Sequence, residues 1–78
     1  MKEFTVVLGS INDVKNFVNV VTKYDYEIDL TSGRYVVDAK SIMGIFSVDL
    51  SKALTLVIGT DDKTEIDRIK KTIQKFVV

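Results

Sequence analysis

Apolar residues in this chain follow two different periods, and the alternation between those periods constrains the fold more than any other feature. Across residues 2–8, Phe4, Val6 and Leu8 alternate with Glu3 and Thr5, which describes a strand with one buried face. Tyr26, Ile28 and Leu30 alternate with Glu27 and Asp29, and Tyr35, Val37 and Ala39 with Arg34, Val36 and Asp38. Leu54, Leu56 and Ile58 supply the inward face of a fourth strand. Thr31-Ser32-Gly33 is a turn signal, so the second and third strands read as a hairpin.

Two longer segments keep helical spacing instead. Val14, Phe17, Val18 and Val21 recur at i, i+3, i+4 and i+7, predicting a helix over 11–23. Ser10, followed three residues later by Asp13, has the spacing of a capping box. The many β-branched residues make this helix depend on packing more than on propensity. Ile66, Ile69, Ile73 and Phe76 form a second stripe over 62–76, opened by Asp62 and Glu65. Its acidic residues cluster early and Lys70, Lys71 and Lys75 late, which complements the helix dipole. Between them, Ser41 is an N-cap candidate for a short helix through Ile42, Met43, Ile45 and Phe46, which Gly44 weakens.

The predicted order is β-α-β-β-α-β-α, an α+β open-faced sandwich. Four antiparallel strands have helices on one face. Phe4, Val6, Leu8, Phe17, Val21, Ile28, Leu30, Val37, Leu56, Ile58, Ile66, Ile69 and Ile73 are its expected core. At 78 residues the chain suits a single domain, 1–78, and a hydrophobic share of 46% is enough to fold without staples.

Composition narrows function by exclusion. The chain contains no histidine and no cysteine, so imidazole and thiolate chemistry are closed to it. Formal net charge is zero, whereas phosphate-backbone binding calls for a basic surplus, so no nucleic-acid partner is expected. No apolar run approaches a membrane span, and residues 1–9 read as strand rather than signal peptide, so the expected location is cytoplasmic. No nucleophile–base pair, metal cluster or glycine-rich phosphate loop is present, so no enzyme and no cofactor are expected. Asp25, Glu27 and Asp29 lack convergent partners for a metal. Asp61-Asp62 and Lys70-Lys71 read as capping and a solvated face.

The run Lys40-Ser41-Ile42-Met43-Gly44-Ile45-Phe46-Ser47 resembles the regulatory-serine segment of HPr, the phosphocarrier protein of the bacterial sugar phosphotransferase system. Lys23-Tyr24-Asp25 before the second strand is also similar, and the element order matches throughout. The resemblance implies a strand order of 1-4-2-3. It also implies a site that this chain lacks. HPr carries Gly-Ile-His-Ala-Arg-Pro-Ala between its first strand and first helix. Counting back without gaps, the histidine position falls on Ser10, the arginine position on Asn12 and the proline position on Asp13. Retained Ser41 beside a lost histidine is the pattern of the catabolite-repression HPr proteins of some Gram-positive bacteria.

The resemblance therefore implies a regulatory or binding protein without histidine phosphocarrier activity. Its partner would be HPr kinase/phosphorylase or a catabolite-control regulator. Ser41 would be the modification target. Lys40, Ile42, Met43 and Phe46 would form the docking surface. Plainer readings stand beside these: Ser10 and Ser41 as ordinary N-caps, Ile42, Met43 and Phe46 as a small core, and the chain as a degenerate HPr-fold domain with an unrelated partner. The sequence sets no oligomeric state.

Overall fold

The computed structural model describes residues 2–78. The chain runs β1 (Lys2–Val6), α1 (Ile11–Val21), β2 (Ile28–Ser32), β3 (Tyr35–Asp38), α2 (Ile42–Phe46), β4 (Leu54–Ile58) and α3 (Lys63–Ile73), followed by a 3-10 turn over Gln74–Phe76. The strands form one antiparallel sheet in the order β1-β4-β2-β3. Among the described residues no helix is long and apolar enough to cross a membrane.

Register explains the one-sided core. Phe4 lies opposite Leu56, Leu56 opposite Leu30, and Leu30 opposite Val37, so one row of apolar side chains crosses all four strands. Ile28 and Ile58 pair in the next row, as do Val6 and Leu54. The helices cover this face with Val14, Phe17 and Val21 from α1, Ile45 from α2, and Ile69 and Ile73 from α3, all fully buried. Phe17 and Phe76 meet edge to face, 5.7 Å apart between ring centroids and 82° between planes, the arrangement that aromatic quadrupoles favour. The opposite face is open. It carries Thr5, Thr55 and Thr31 in one row and Asp29 directly opposite Asp38 in another.

Three expected core residues, Phe4, Val37 and Ile66, are only half-buried. Phe4 and Val37 sit on the two edge strands, where half of each side chain has no neighbouring strand. Residues the expected core omitted are fully buried: Val14, Ala39, Ile45, Leu54 and Phe76.

The regular elements are shorter than their patterns, for identifiable reasons. β1 ends at Val6 because that residue faces Leu54, the first of β4. On either side of Val6 the chain pairs with the C-terminal segment: Val7 N–H donates to Phe76 O, and Val78 N–H to Thr5 O. β2 starts at Ile28 rather than Tyr26: Gly59 N–H still reaches the Glu27 carbonyl, in step with the β4 pairing, but the Tyr26 carbonyl is taken by Lys40. In the hairpin, Ser32 faces Tyr35 across a two-residue loop in which Gly33 has φ 60°. A positive φ at the first loop residue alone is the type II′ pattern, and glycine adopts it without steric cost.

Candidate functional site

Two of the residues singled out in the sequence, Ser10 and Ser41, are serines at helix starts. Ser10 caps α1 from an extended conformation, φ −151° and ψ 166°, and its Oγ accepts from Asp13 N–H at 3.0 Å. Asp13 replies one residue earlier than a capping box would, its Oδ2 accepting from Gly9 N–H at 3.1 Å. One helix-start donor, Asp13 N–H, is thus already satisfied, and a carboxylate occupies the end of α1 that would otherwise favour an anion. Asn12 is exposed and carries no charge.

Ser41 caps α2 in the same manner. Its φ is −106° and ψ 110°, and its Oγ accepts from Gly44 N–H at 3.1 Å. At the other end, Ser47 N–H and Oγ both donate to Gly44 O. Five residues of helix are therefore fixed by hydroxyls at both ends. The helix divides its apolar residues. Ile45 is fully buried and Ile42 half-buried, whereas Met43 is 77% exposed and Phe46 41%. Of the three residues offered as a small core, only Ile42 packs against the buried cluster, while Met43 and Phe46 are exposed apolar side chains.

Lys40 is placed differently from its neighbours. Its ammonium donates to the carbonyls of Tyr24 and Tyr26, the latter at 2.8 Å, and its backbone N–H donates to Asp38 Oδ1 at 2.9 Å. The lysine therefore pins the segment before β2 to the segment before α2.

That segment carries a cluster the sequence reading passed over. The Tyr24 and Tyr26 rings stack at 5.8 Å between centroids and 28° between planes. Tyr26 OH donates to Glu65 Oε2, and Glu65 Oε1 accepts from Arg68 at 2.9 Å. Tyr24 OH lies 3.4 Å from Thr72 Oγ1, and the Arg68 guanidinium sits over the Tyr24 ring. Burial, and then the hydrogen bond to the Glu65 carboxylate, push the Tyr26 hydroxyl up to about 12. An i, i+2 tyrosine pair was the available signal, but nothing in the sequence near it points to α3. Among the described residues no group of acidic side chains is arranged to hold a metal.

The family model described as PTS HPr component phosphorylation site matches residues 13–77. The chain belongs to the HPr family. The match begins at Asp13, just beyond Ser10 and Asn12. Among solved structures, the chain is similar to HPr-C-His from Thermoanaerobacter tengcongensis, with 28% identity, a TM-score of 0.71, and coverage of 95% of this chain and 97% of that one. It is also similar to Crh, a catabolite repression protein of Bacillus subtilis seen as a dimer with a swapped domain. There identity is 25% and the TM-score 0.64, over 95% of this chain and 87% of that one. The histidine-containing phosphocarrier protein of Mycoplasma shares the fold at 17% identity, with a TM-score of 0.69 and coverage of 95% and 93%.

Proposed function

We propose that this chain is a regulatory or binding member of the HPr family, acting in the cytoplasm on protein partners and carrying no phosphoryl group on histidine. The observation that carries the reading is the residue at the start of α1. Ser10 stands where the resemblance places the phosphocarrier histidine, and its hydroxyl accepts a backbone N–H. A phosphocarrier needs a phosphoramidate, whose high transfer potential lets the group move on. Serine forms only a phosphate ester, which is too stable to hand the group to a permease. Asn12 supplies no guanidinium for bidentate phosphate binding, and Asp13 repels the incoming charge.

Ser41 is the proposed point of control. Its hydroxyl caps the helix that exposes Met43 and Phe46, so a phosphate there adds nearly two negative charges to the element that carries the apolar docking patch. Lys40 and Ile42 complete the proposed docking set, Ile42 half-buried and the Lys40 ammonium committed to carbonyls. The proposed partners are HPr kinase/phosphorylase and a catabolite-control regulator.

Incubation with HPr kinase/phosphorylase and ATP, read by intact-mass spectrometry, tests the reading. A mass gain of one phosphate, absent in Ser41→Ala, is expected; an unmodified chain overturns control at Ser41.

A second reading, an HPr-fold domain with an unrelated partner, is favoured by one feature. Tyr35 and Val36 on the outer strand are 71% and 64% exposed. Partner-induced amide shifts confined to β3, with none in α2, support that alternative.

A further inference from the structure

A cleft of about 510 Å³ lies between the β2–β3 turn and the segment following α2. Ser32, Arg34 and Tyr35 line one side, and Ser47, Asp49 and Lys52 the other. It is separate from the start of α1 and from the Ser41 cap at the opposite end of α2. In a chain of zero formal charge, this cleft holds two cations against one carboxylate.

Arg34 is uncommitted, and Lys52 is engaged only by the attraction of the nearby Asp49 carboxylate. Among the described residues neither Arg34 nor Lys52 forms a salt bridge or a side-chain hydrogen bond, unlike Arg68 and Lys40. Asp49 is half committed: its Oδ1 accepts from Ser51 N–H at 3.0 Å and from Ser51 Oγ at 2.6 Å. These bonds, and after them the charge of Lys52, hold its carboxyl below the usual carboxylate range, so Asp49 remains an acceptor. Oδ2 is left to take a further donor.

This combination is selective. A guanidinium and an ammonium on facing walls suit a phosphate dianion, which the guanidinium fork can bind through two oxygens. A bare anion would leave Asp49 opposed by like charge. A ligand with an anionic group at one end and hydroxyl donors at the other satisfies both signs, with Ser32 and Ser47 adding neutral partners. Tyr35, 71% exposed, offers a ring face for the carbon skeleton. We propose that this cleft binds a phosphomonoester of a sugar or polyol, with the phosphate on Arg34 and Lys52 and hydroxyls on Asp49. The proposal stands whether or not Ser41 is modified.

Amide chemical-shift titrations of the full chain, with glucose 6-phosphate as probe, test this. Saturable shifts at Arg34, Ser47 and Lys52 are expected, with none from glucose and markedly weaker binding of inorganic phosphate. Arg34→Gln and Lys52→Gln are each expected to weaken binding about tenfold, the effect of removing one charge-assisted hydrogen bond. Lys70→Gln on α3 should leave binding unchanged. Both cleft positions are exposed, so native amide dispersion is expected in both variants. Absence of saturable shifts overturns the proposal, as does undiminished binding in the two cleft variants. Equal affinity for inorganic phosphate and glucose 6-phosphate, an anion site only, overturns the sugar or polyol assignment.

Discussion

The hydroxyl of Tyr26 donates to Oε2 of Glu65 at 3.2 Å, joining residues 39 positions apart and tying the segment before β2 to the first turn of α3. The same carboxylate holds Arg68 through its other oxygen. Glu65 has the spacing to reach back to the start of its own helix, but Asp62 N–H is bound instead by Thr60 Oγ1, which releases Glu65 for Tyr26.

Alkaline stability should report this bond. The Tyr26 hydroxyl rises from 10.0 to about 12, through burial first and the Glu65 carboxylate second. The folded chain then keeps a proton that the unfolded chain has lost. The stabilisation is fully present below pH 10 and is lost as pH rises from 10 to about 12. Against Tyr26→Phe, which cannot titrate there, the native protein should lose unfolding free energy across that window. Urea denaturation at stepped pH measures the difference, and a difference that stays flat overturns the assignment.

Gly59 should be intolerant of a methyl group. A Cβ built there lies 2.8 Å from the Glu27 carbonyl oxygen, which also accepts Gly59 N–H at 2.8 Å. Gly59→Ala must push β4 from the start of β2, and a cost of about 1–3 kcal/mol is expected, as for other overpacked sites. Gly9→Ala is the control. There the nearest atom, Asp13 Oδ2, lies at an ordinary 3.7 Å, so the melting temperature should hold or rise. Thermal melts of the two variants separate these outcomes.

Sheet, hairpin and the two long helices were legible because period 2 and period 3.6 leave unlike marks on a sequence. Boundaries were less so. Tyr26 continues the apolar alternation of β2, yet Lys40 takes its carbonyl, a contact made across 14 residues that no local pattern encodes. Phe76 fits the α3 stripe but owes its burial to edge-on packing against Phe17, a long-range contact. The serine caps were readable because capping is local, three residues from hydroxyl to amide. The Tyr24–Tyr26–Arg68 cluster was not, since it assembles only when α3 lies down on the sheet.

The start of α1 should be inert toward enzyme I and phosphoenolpyruvate. No acid-labile phosphate is expected, because the chain has no imidazole to form one. Ser10→His alone should not restore efficient transfer. Asn12 still lacks the cation for the phosphate, and Asp13 still places a carboxylate at 3.1 Å from Gly9 N–H, among the donors a phosphate would need. Radiolabel transfer from phosphoenolpyruvate measures both proteins. Efficient labelling of the single variant would mean that these two neighbours matter less than their charges imply.

Ser41 separates capping from regulation. Its Oγ accepts from Gly44 N–H at 3.1 Å, so Ser41→Ala leaves one helix-start donor without its acceptor and should cost about 1 kcal/mol. Ser41→Asp should keep most of that stability, because aspartate also caps and its charge suits this end of a helix. Binding responds on a separate axis. The Asp variant sets a negative charge beside Met43 and Phe46 without unfolding α2, so regulation at this residue requires altered partner capture with a native melting temperature. A purely structural serine shares the early melt of Ser41→Ala but leaves capture unchanged in both variants. Melts of both variants beside a binding assay with a catabolite-control regulator distinguish the two. Equal loss of stability in Ser41→Asp and Ser41→Ala would overturn the capping role itself, since only the alanine removes the acceptor.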